Sequence, residues 1–327
     1  MIIVCPQCAR KHKVNPETIK SYAESGKKNV LATCRSCKFK FPVSLDALLN
    51  PADAPTERQE DTEREGTGDI PSIRKPARKI CITLSKGGVG KTTTSVNLAA
   101  GLALAGHKVL LVDTDPQGQS SYILGLRPNA GLTELLTKEL PADECLVEAR
   151  KNLTLLSGGK SLAGVKRIID RKSFGAEWTL AEALNPLDRQ FDYILIDTSP
   201  GWDQLIVNVL FYATEVLVPV ALEVMPLHGL SEFIKSLGAI QKYRQEIQLK
   251  YILPTFLDSR IKGPQNLHDQ LEKLYPKHLC KPIRYNACLS EAPSFGKTIF
   301  EFAPGSNVSE DYRELVRKVS GDQSALV

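Results

Sequence analysis

A glycine-rich segment at residues 86–92 (K-G-G-V-G-K-T) limits the possible folds of this chain more than any other feature. It follows an apolar run at residues 80–84 of the kind that forms a buried strand, and apolar residues at helical spacing begin at Thr92. A strand, a glycine-rich turn and a helix in this order bind phosphate, because the N–H groups of the turn and the helix N-terminus both attract anions. The segment therefore predicts a P-loop nucleotide site.

Two side chains of this loop have specific expected roles. Lys91 is expected to reach the β- and γ-phosphates of ATP, and the hydroxyl of Thr92 is expected to bind Mg²⁺. The predicted cofactors of this site are therefore ATP and Mg²⁺. The predicted nucleotide contacts are Gly87, Gly88, Val89, Gly90, Lys91, Thr92 and Thr93.

Two later segments place aspartates at the ends of apolar runs. Residues 111–118 (L-V-D-T-D-P-Q-G) contain Asp113 and Asp115, and residues 193–200 (Y-I-L-I-D-T-S-P) contain Asp197. A carboxylate that ends a buried strand in a P-loop protein orients the Mg²⁺ shell. Because the carboxyl ends of parallel strands meet at one edge of a sheet, we expect all three aspartates beside the P-loop.

From residue 79 onward, apolar β-type runs alternate with helical patterns, which predicts an α/β fold with a mostly parallel, twisted sheet flanked by helices. The runs predicted as strands are residues 80–84, 108–112, 153–156, 193–196, 216–220 and 251–256. The segments predicted as helices are residues 92–105, 178–189, 204–212 and 227–243. This large domain is expected to cover residues 79–327.

The preceding residues differ in composition. Residues 51–78 have no apolar periodicity and are rich in Pro, Glu and Asp, so they are predicted to form a flexible linker. Neither a membrane span nor a signal peptide is expected, which predicts a cytoplasmic protein. The net charge of +5 permits contact with nucleic acid without requiring it.

Residues 1–50 contain two C-x-x-C pairs, Cys5/Cys8 and Cys34/Cys37. Four thiolates arranged tetrahedrally around Zn²⁺ make a closed structural site, which would stabilise a segment too small for a core of its own. These residues are therefore predicted to form a zinc-ribbon-like domain, with redox or iron–sulfur chemistry as the alternative. The many Lys and Arg residues of this segment would suit either of two partners, nucleic acid or another protein. Four scattered cysteines are expected to be buried and inert: Cys81, Cys145, Cys280 and Cys288.

The chain resembles the ParA/MinD family of partition and positioning ATPases, and most of all its chromosomal, Soj-like branch. The resemblance rests on Lys86, the extra lysine at the start of the loop, and on residues 113–118 and 197–200. It also rests on residues 289–296 (L-S-E-A-P-S-F-G), which belong to no general nucleotide motif. It extends from about residue 79 to residue 319.

The resemblance implies a homodimer that encloses ATP and an ATPase with weak intrinsic activity, stimulated by a ParB-like or other protein partner. Its catalytic residues would be Lys86, Lys91 and Asp115. Lys86 would reach the phosphates of the partner subunit, and Asp115 would be linked to the attacking water. Asp113 and Asp197 match the positions near Mg²⁺. Residues 283–289 are expected to border the adenine.

The resemblance also implies nonspecific DNA binding on the nucleoid. Arg260 matches one basic position of the family's DNA surface, whereas Cys288 occupies a position where a second arginine is expected. Other cations that would compensate are Lys262, Arg284, Arg313, Arg317 and Lys318. The C-terminal residues lack the basic amphipathic pattern of the MinD branch, so no membrane partner is expected. The alternative function is an adaptor ATPase that recruits a protein partner through the zinc ribbon without binding DNA.

Overall fold

The computed structural model describes residues 2–4, 11–15, 29–34, 40–44, 75–222, 226–258 and 260–323. The chain divides into two compact units, Met1–Ile70 and Pro71–Val327. Most of the predicted linker, residues 51–74, lies outside the described residues. Three of the predicted zinc ligands also lie outside them: Cys5, Cys8 and Cys37.

The described part of the smaller unit consists of two antiparallel strand pairs. Strand β1 (Ile2–Val4) pairs with β2 (Lys11–Lys13), and β3 (Asn29–Thr33) pairs with β4 (Lys40–Ser44). Among the described residues of this unit, Cys34 and Val43 are buried. The apolar side chains packed against them are Ile3, Val30 and Ala32.

The larger unit is built on a seven-stranded sheet. Its strands are β5 (Arg78–Ile82), β6 (Val109–Asp113), β7 (Leu146–Arg150), β8 (Leu153–Leu156), β9 (Tyr193–Asp197), β10 (Glu215–Ala221) and β11 (Gln248–Thr255). Their order in the sheet is β11-β10-β5-β9-β6-β8-β7. All neighbouring strands are parallel except β7, which runs antiparallel to β8. The prediction of a mostly parallel sheet is therefore confirmed.

Helices cover both faces of this sheet. They are α1 (Lys91–Leu104), α2 (Gln119–Ile123), α3 (Leu132–Thr137), α4 (Ala142–Cys145), α5 (Leu162–Asp170), α6 (Thr179–Leu184), α7 (Gln204–Tyr212), α8 (Pro226–Gln241), α9 (Lys262–Leu274), α10 (Cys288–Glu291), α11 (Ile299–Phe302) and α12 (Asn307–Ser320). Among the described residues, none of the helices is long and apolar enough to cross a membrane.

Two apolar cores lie on opposite faces of the sheet. Ile80 and Ile82 of β5 belong to the core that includes α1, α11 and α12, whereas Cys81 belongs to the core that includes helices α5 to α9. This alternation follows from the twofold side-chain period of a strand. Because both faces are buried, the central strands carry continuous apolar runs, as the sequence pattern indicated.

Three differences from the predicted elements have local causes. Strand β5 begins at Arg78, two residues earlier than predicted, because the backbone of Arg78 and Lys79 already pairs with that of β9. The edge strand β7 has no long apolar run, and its pattern was missed. The helix predicted at residues 178–189 is interrupted after Leu184, since Pro186 in the following 3₁₀ turn has no N–H to donate.

The scattered cysteines are mostly buried, as expected. Cys81, Cys145 and Cys280 are buried, whereas Cys288 is half-buried. Burial raises the pKa of the Cys81 and Cys280 thiols to about 12. These two thiols therefore remain protonated and unreactive near neutral pH.

Candidate functional site

The P-loop connects β5 to α1 and places its two lysines in different surroundings. Lys91, the first residue of α1, is only 6% exposed. Its Nζ donates a hydrogen bond of 2.7 Å to the backbone carbonyl of Lys86. Burial lowers the pKa of Lys91, and the charges of Asp197 and Asp115 oppose that shift. The side chain of Lys86, in contrast, is exposed to solvent.

Asp113 and Asp197 end the adjacent parallel strands β6 and β9 at the same register position. Both side chains are fully buried. The carboxylate of Asp113 accepts hydrogen bonds from the backbone N–H groups of Asp115 at 2.9 Å and Ser120 at 3.1 Å. The carboxylate of Asp197 accepts from the hydroxyls of Ser95 at 2.9 Å and Ser120 at 3.4 Å. The register of the sheet thus brings two of the predicted aspartates together.

Two buried carboxylates side by side are electrostatically unfavourable. Burial raises the pKa of Asp113, and the charge of Asp197 raises it further. Burial also raises the pKa of Asp197, against the opposing effect of hydrogen bonds from the hydroxyls of Thr92 and Ser95. A divalent cation would offset this repulsion, and carboxylate and hydroxyl oxygens can bind Mg²⁺ directly or through its water molecules. The residues present therefore fit a Mg²⁺ site.

Asp115 lies in the turn after β6, where its Oδ1 accepts a hydrogen bond of 2.8 Å from the N–H of Gln117. Gly158, just after β8, packs directly against this turn. A Cβ atom at Gly158 would lie 2.6 Å from the carbonyl oxygen of Asp115 and 2.9 Å from Oδ1 of Asp113. Only glycine permits so close an approach. This contact was not predicted, although two consecutive glycines closely follow the predicted strand at residues 153–156 in the sequence.

The P-loop forms one wall of an open cleft of about 410 Å³. Seven of the residues predicted at the nucleotide site line it: Gly87, Gly88, Gly90, Lys91, Thr92, Thr93 and Asp115. Val89 is instead buried under the loop, where its carbonyl accepts a hydrogen bond of 3.0 Å from the hydroxyl of Thr255. Residues that line the cleft without having been predicted are Gln117, Gln119, Thr198, Pro200 and Phe256.

Phe256 is the least expected of these residues. It follows β11 with a φ of 60°, in the left-handed region that a bulky aromatic residue rarely adopts. The next residue, Leu257, is held by a backbone hydrogen bond of 3.1 Å to Ile283. In the sheet order β11 lies on the opposite side of β5 from β9 and β6. Phe256 therefore lies at the opposite end of the cleft from the aspartates at the ends of β6 and β9. No local sequence pattern indicated this arrangement.

The segment that carries the L-S-E-A-P-S-F-G motif packs beside α2. It comprises α10, a 3₁₀ turn at Ala292–Phe295, and Gly296, which has a φ of 62°. A Cβ atom at Gly296 would lie 2.7 Å from the Cα atom of Gly125. Two glycines thus allow backbone contact between this motif and the turn that follows α2.

Arg260 is the residue predicted to contact DNA, and its side chain is 80% exposed. It is nevertheless paired: Nε and Nη2 donate to the two carboxylate oxygens of Asp258 at 2.9 and 2.7 Å. This pairing lowers the pKa of Asp258 to about 2. Arg260 therefore remains accessible to solvent, but a neighbouring carboxylate offsets its charge.

Most of the cations expected to compensate for Cys288 are also engaged. Arg284 forms an ion pair of 2.6 Å with Asp311, and Arg317 forms ion pairs of 3.0 and 3.1 Å with Glu310 and Glu314. Two further side chains are occupied: Arg313 pairs with Glu310 at 3.6 Å, and Lys318 donates to the carbonyl of Leu279. Lys262 is exposed at the start of α9.

Comparison with known proteins places this geometry among related ATPases. Residues 77–250 match the model of a family described as an AAA domain. The sporulation initiation inhibitor protein Soj of Bacillus subtilis is 35% identical over 250 residues, covering 74% of this chain and 98% of that protein. The chromosome-partitioning ATPase Soj of Thermus thermophilus is 38% identical over 249 residues, covering 76% of this chain and 97% of that protein.

A solved structure agrees with the fold. Cobyrinic acid a,c-diamide synthase from Mycobacterium smegmatis, with a bound ATP analogue and magnesium, superposes with a TM-score of 0.67. The two sequences are 28% identical, and the match covers 75% of this chain and 94% of that one. The P-loop architecture described above is therefore shared with a protein that holds ATP analogue and magnesium.

Proposed function

Because this chain belongs to the ParA/MinD family of P-loop ATPases, we propose that it works as an ATP-dependent dimer in DNA partition or intracellular cargo positioning. One observation carries the proposal of a dimer: the P-loop buries Lys91 but exposes Lys86. In this proposal Lys91 binds the phosphates of its own subunit. Lys86 is free to reach those of a second subunit.

In this proposal each charged residue of the cleft has a separate task. Lys91 and the N–H groups of the loop bind the phosphates, and Thr92, Asp113 and Asp197 hold the hydrated Mg²⁺. When bound, Mg²⁺ offsets charge on the phosphate oxygens. Asp115, which lines the cleft, orients the attacking water. A lysine supplied by the partner subunit acts as an arginine finger does, an effect worth roughly 10³–10⁵ in rate.

The proposed site for DNA is the surface around Arg260, with contacts to phosphates rather than to bases. Dimerisation doubles each basic contact, so a weak patch binds DNA only in the ATP-bound dimer. Hydrolysis stimulated by a ParB-like or other partner then releases the dimer from the nucleoid. Because Asp258 offsets the charge of Arg260, we expect weak binding. Because the contacts are to phosphates, affinity should fall as the salt concentration rises.

We predict that Arg260→Ala weakens DNA binding by the ATP-bound dimer, and that the loss of affinity is the same for every DNA sequence. Each phosphate contact contributes about −0.9 to the slope of log affinity against log salt, so loss of one contact per subunit reduces the slope by about 2. Asp258→Asn should have the opposite effect, because it removes the carboxylate that pairs with Arg260. Gel shifts on random duplexes at several salt concentrations, with ATP and with ADP, measure both effects.

Lys151→Ala is a suitable control, because this lysine is exposed in the turn before β8, at the opposite edge of the sheet from Arg260. It should leave affinity and slope unchanged. If Arg260→Ala also changes neither, the DNA surface does not lie at Arg260, and the adaptor function becomes the better proposal.

The ion pairs of the cations around Arg260 favour the adaptor function as a second candidate. Among the described residues, most of the cations expected at the DNA surface are already bound to carboxylates or carbonyls of the same chain. An ATPase of this kind would instead recruit a protein partner through the smaller unit. Retention on DNA-cellulose in ATP, but not in ADP, would favour partition over the adaptor function.

For the smaller unit we propose a structural Zn²⁺ site formed by Cys5, Cys8, Cys34 and Cys37. The supporting observation is Cys34, whose side chain is 1% exposed and packs in a small apolar cluster with Val43. A thiol at that position fits a soft metal, and so small an apolar cluster needs additional stabilisation.

We predict that the purified full-length chain carries about one Zn²⁺ per subunit and that Cys34→Ser loses it. ATP hydrolysis by the larger unit should be unaffected. Cys280→Ser, which alters a buried cysteine of the larger unit, is the matched control and should retain the metal. Elemental analysis measures the metal content. Finding iron, or no metal, in the wild-type chain would contradict the zinc site.

A further inference from the structure

The aromatic ring of Phe256 lies directly against the P-loop. Phe256 follows β11 and lines the cleft of which the P-loop forms one wall. A Cβ atom at Gly90 of the loop would lie 3.5 Å from Cζ of this ring. The hydroxyl of Thr255, the preceding residue, donates a hydrogen bond of 3.0 Å to the carbonyl of Val89 in the loop. The end of β11 and the phosphate-binding loop are therefore fixed to each other.

The backbone of Phe256 is held in a conformation that is unfavourable for a bulky side chain. Its φ of 60° lies in the left-handed region, which glycine adopts without strain. Both neighbours are fixed by backbone hydrogen bonds: the carbonyl of Thr255 accepts from Leu222 at 3.0 Å, and the N–H of Leu257 donates to Ile283 at 3.1 Å. Backbone strain of this kind is concentrated at functional sites. The ring of Phe256 is therefore a candidate for a role in the cleft.

The direction of a bound triphosphate follows from the two ends of the cleft. Mg²⁺ contacts the β- and γ-phosphates of a nucleotide. The two aspartates that suit this ion, Asp113 and Asp197, end β6 and β9 on one side of β5. In the proposed site the α-phosphate and the attached nucleoside therefore extend toward the other side of β5. Phe256, at the end of β11, is on that side.

We propose that Phe256 is a specificity-determining residue of the nucleotide site, whose ring stacks on the base and favours purines over pyrimidines. This inference rests on the nucleotide site of the proposed function. Among the described residues that line the cleft, Phe256 is the only aromatic one. Stacking uses the π face of a base and not its hydrogen-bonding edge. Because the two fused rings of a purine offer a larger face than a pyrimidine does, the preference follows from contact area.

A structural role for the ring predicts a different pattern of affinities. Phe256 also packs against the apolar core that includes helices α5 to α9, and its ring contacts the P-loop at Gly90. A side chain that only supports the loop affects phosphate binding whether or not a base is attached. A stacking side chain affects only ligands that carry a base. An aliphatic side chain of similar size replaces the support but not the stacking.

The test compares Phe256→Leu, which keeps the apolar packing, with Phe256→Tyr, which also keeps the aromatic face. Affinities of the full-length chain for ATP, CTP and inorganic tripolyphosphate, each with Mg²⁺, are measured by calorimetric titration. Loss of a base–aromatic stack lowers affinity about 5- to 150-fold. We expect Phe256→Leu to lose this factor for ATP, less for CTP and none for tripolyphosphate, and Phe256→Tyr to bind ATP normally. Phe174→Ala, at a phenylalanine that is 94% exposed after α5, is the control and should bind all three like the wild-type chain.

Proton NMR of bound ATP detects the stack directly, because a base that lies over an aromatic ring has its H2 and H8 resonances shifted upfield. We expect this shift with the wild-type chain and Phe256→Tyr, and its absence with Phe256→Leu. Unchanged ATP affinity in Phe256→Leu, or an equal loss for ATP and tripolyphosphate, would overturn the proposal with the nucleotide site intact. Failure of the wild-type chain to bind any of the three ligands would instead refute the nucleotide site itself.

Discussion

Replacement of Lys91 by alanine is expected to abolish ATP binding. The ammonium group of Lys91 is buried in the P-loop and faces the cleft in which the phosphates would lie. Loss of a buried charge partner costs roughly 2–5 kcal/mol, which corresponds to at least about a 30-fold lower affinity for each nucleotide. Calorimetric titration with ATP and ADP measures this loss directly.

Lys86→Ala is the matched control, because Lys86 is the other lysine of the same loop and is exposed. It should still bind ATP as a monomer but should lose dimer formation in ATP and the hydrolysis that depends on it. Wild-type ATP affinity in Lys91→Ala would contradict the assignment of the cleft. Normal hydrolysis in Lys86→Ala would contradict a lysine supplied by the partner subunit.

Asp115→Ala is expected to bind ATP and to accumulate as a dimer, because it removes the group proposed to orient the attacking water. General acid–base groups contribute about 10²–10⁴-fold to rate, so hydrolysis should fall by that factor. Size-exclusion chromatography with light scattering, in ATP and in ADP, reports the dimer. A phosphate-release assay reports the rate.

The carboxylate of Asp115 also accepts a hydrogen bond from Gln117, so the alanine variant alters the turn as well as the charge. Asp115→Asn keeps an acceptor oxygen for that hydrogen bond and removes only the charge. Both variants should lose hydrolysis and retain the dimer. Asp143→Ala, at an exposed aspartate of α4, should behave like the wild-type chain. A monomeric Asp115→Asn protein that binds ATP tightly would refute the proposed role.

The strands and helices around the nucleotide loop were predictable because their signals are local. Buried parallel strands are continuous apolar runs, and all six predicted strands are present within a few residues of their expected bounds. The helix predicted at residues 204–212 is found with those bounds as α7. The half-exposed edge strand β7 escaped notice, since an edge strand needs neither a long apolar run nor two buried faces.

Charge pairing at the proposed DNA surface was not predictable. Arg260 was identified from a family resemblance, but the sequence does not show whether its side chain is available. In the structure, Asp258 binds it through two hydrogen bonds. The guanidinium of Arg284 likewise pairs with the carboxylate of Asp311 on α12. The Arg284–Asp311 pair depends on where α12 packs, and the Asp258–Arg260 pair depends on the conformation of a short loop segment; hydrophobic periodicity encodes neither.

By itself, the sequence determined the α/β class, the P-loop and three aspartates at strand ends, because each depends on residues adjacent in the chain. Only the tertiary structure decided which of these groups meet. The register of β6 and β9 sets Asp113 beside Asp197, and the close approach of Gly158 shapes the turn of Asp115. The strand order places Phe256 at the other end of the cleft. These contacts join distant segments, so they follow from strand order and packing, which are properties of the whole chain.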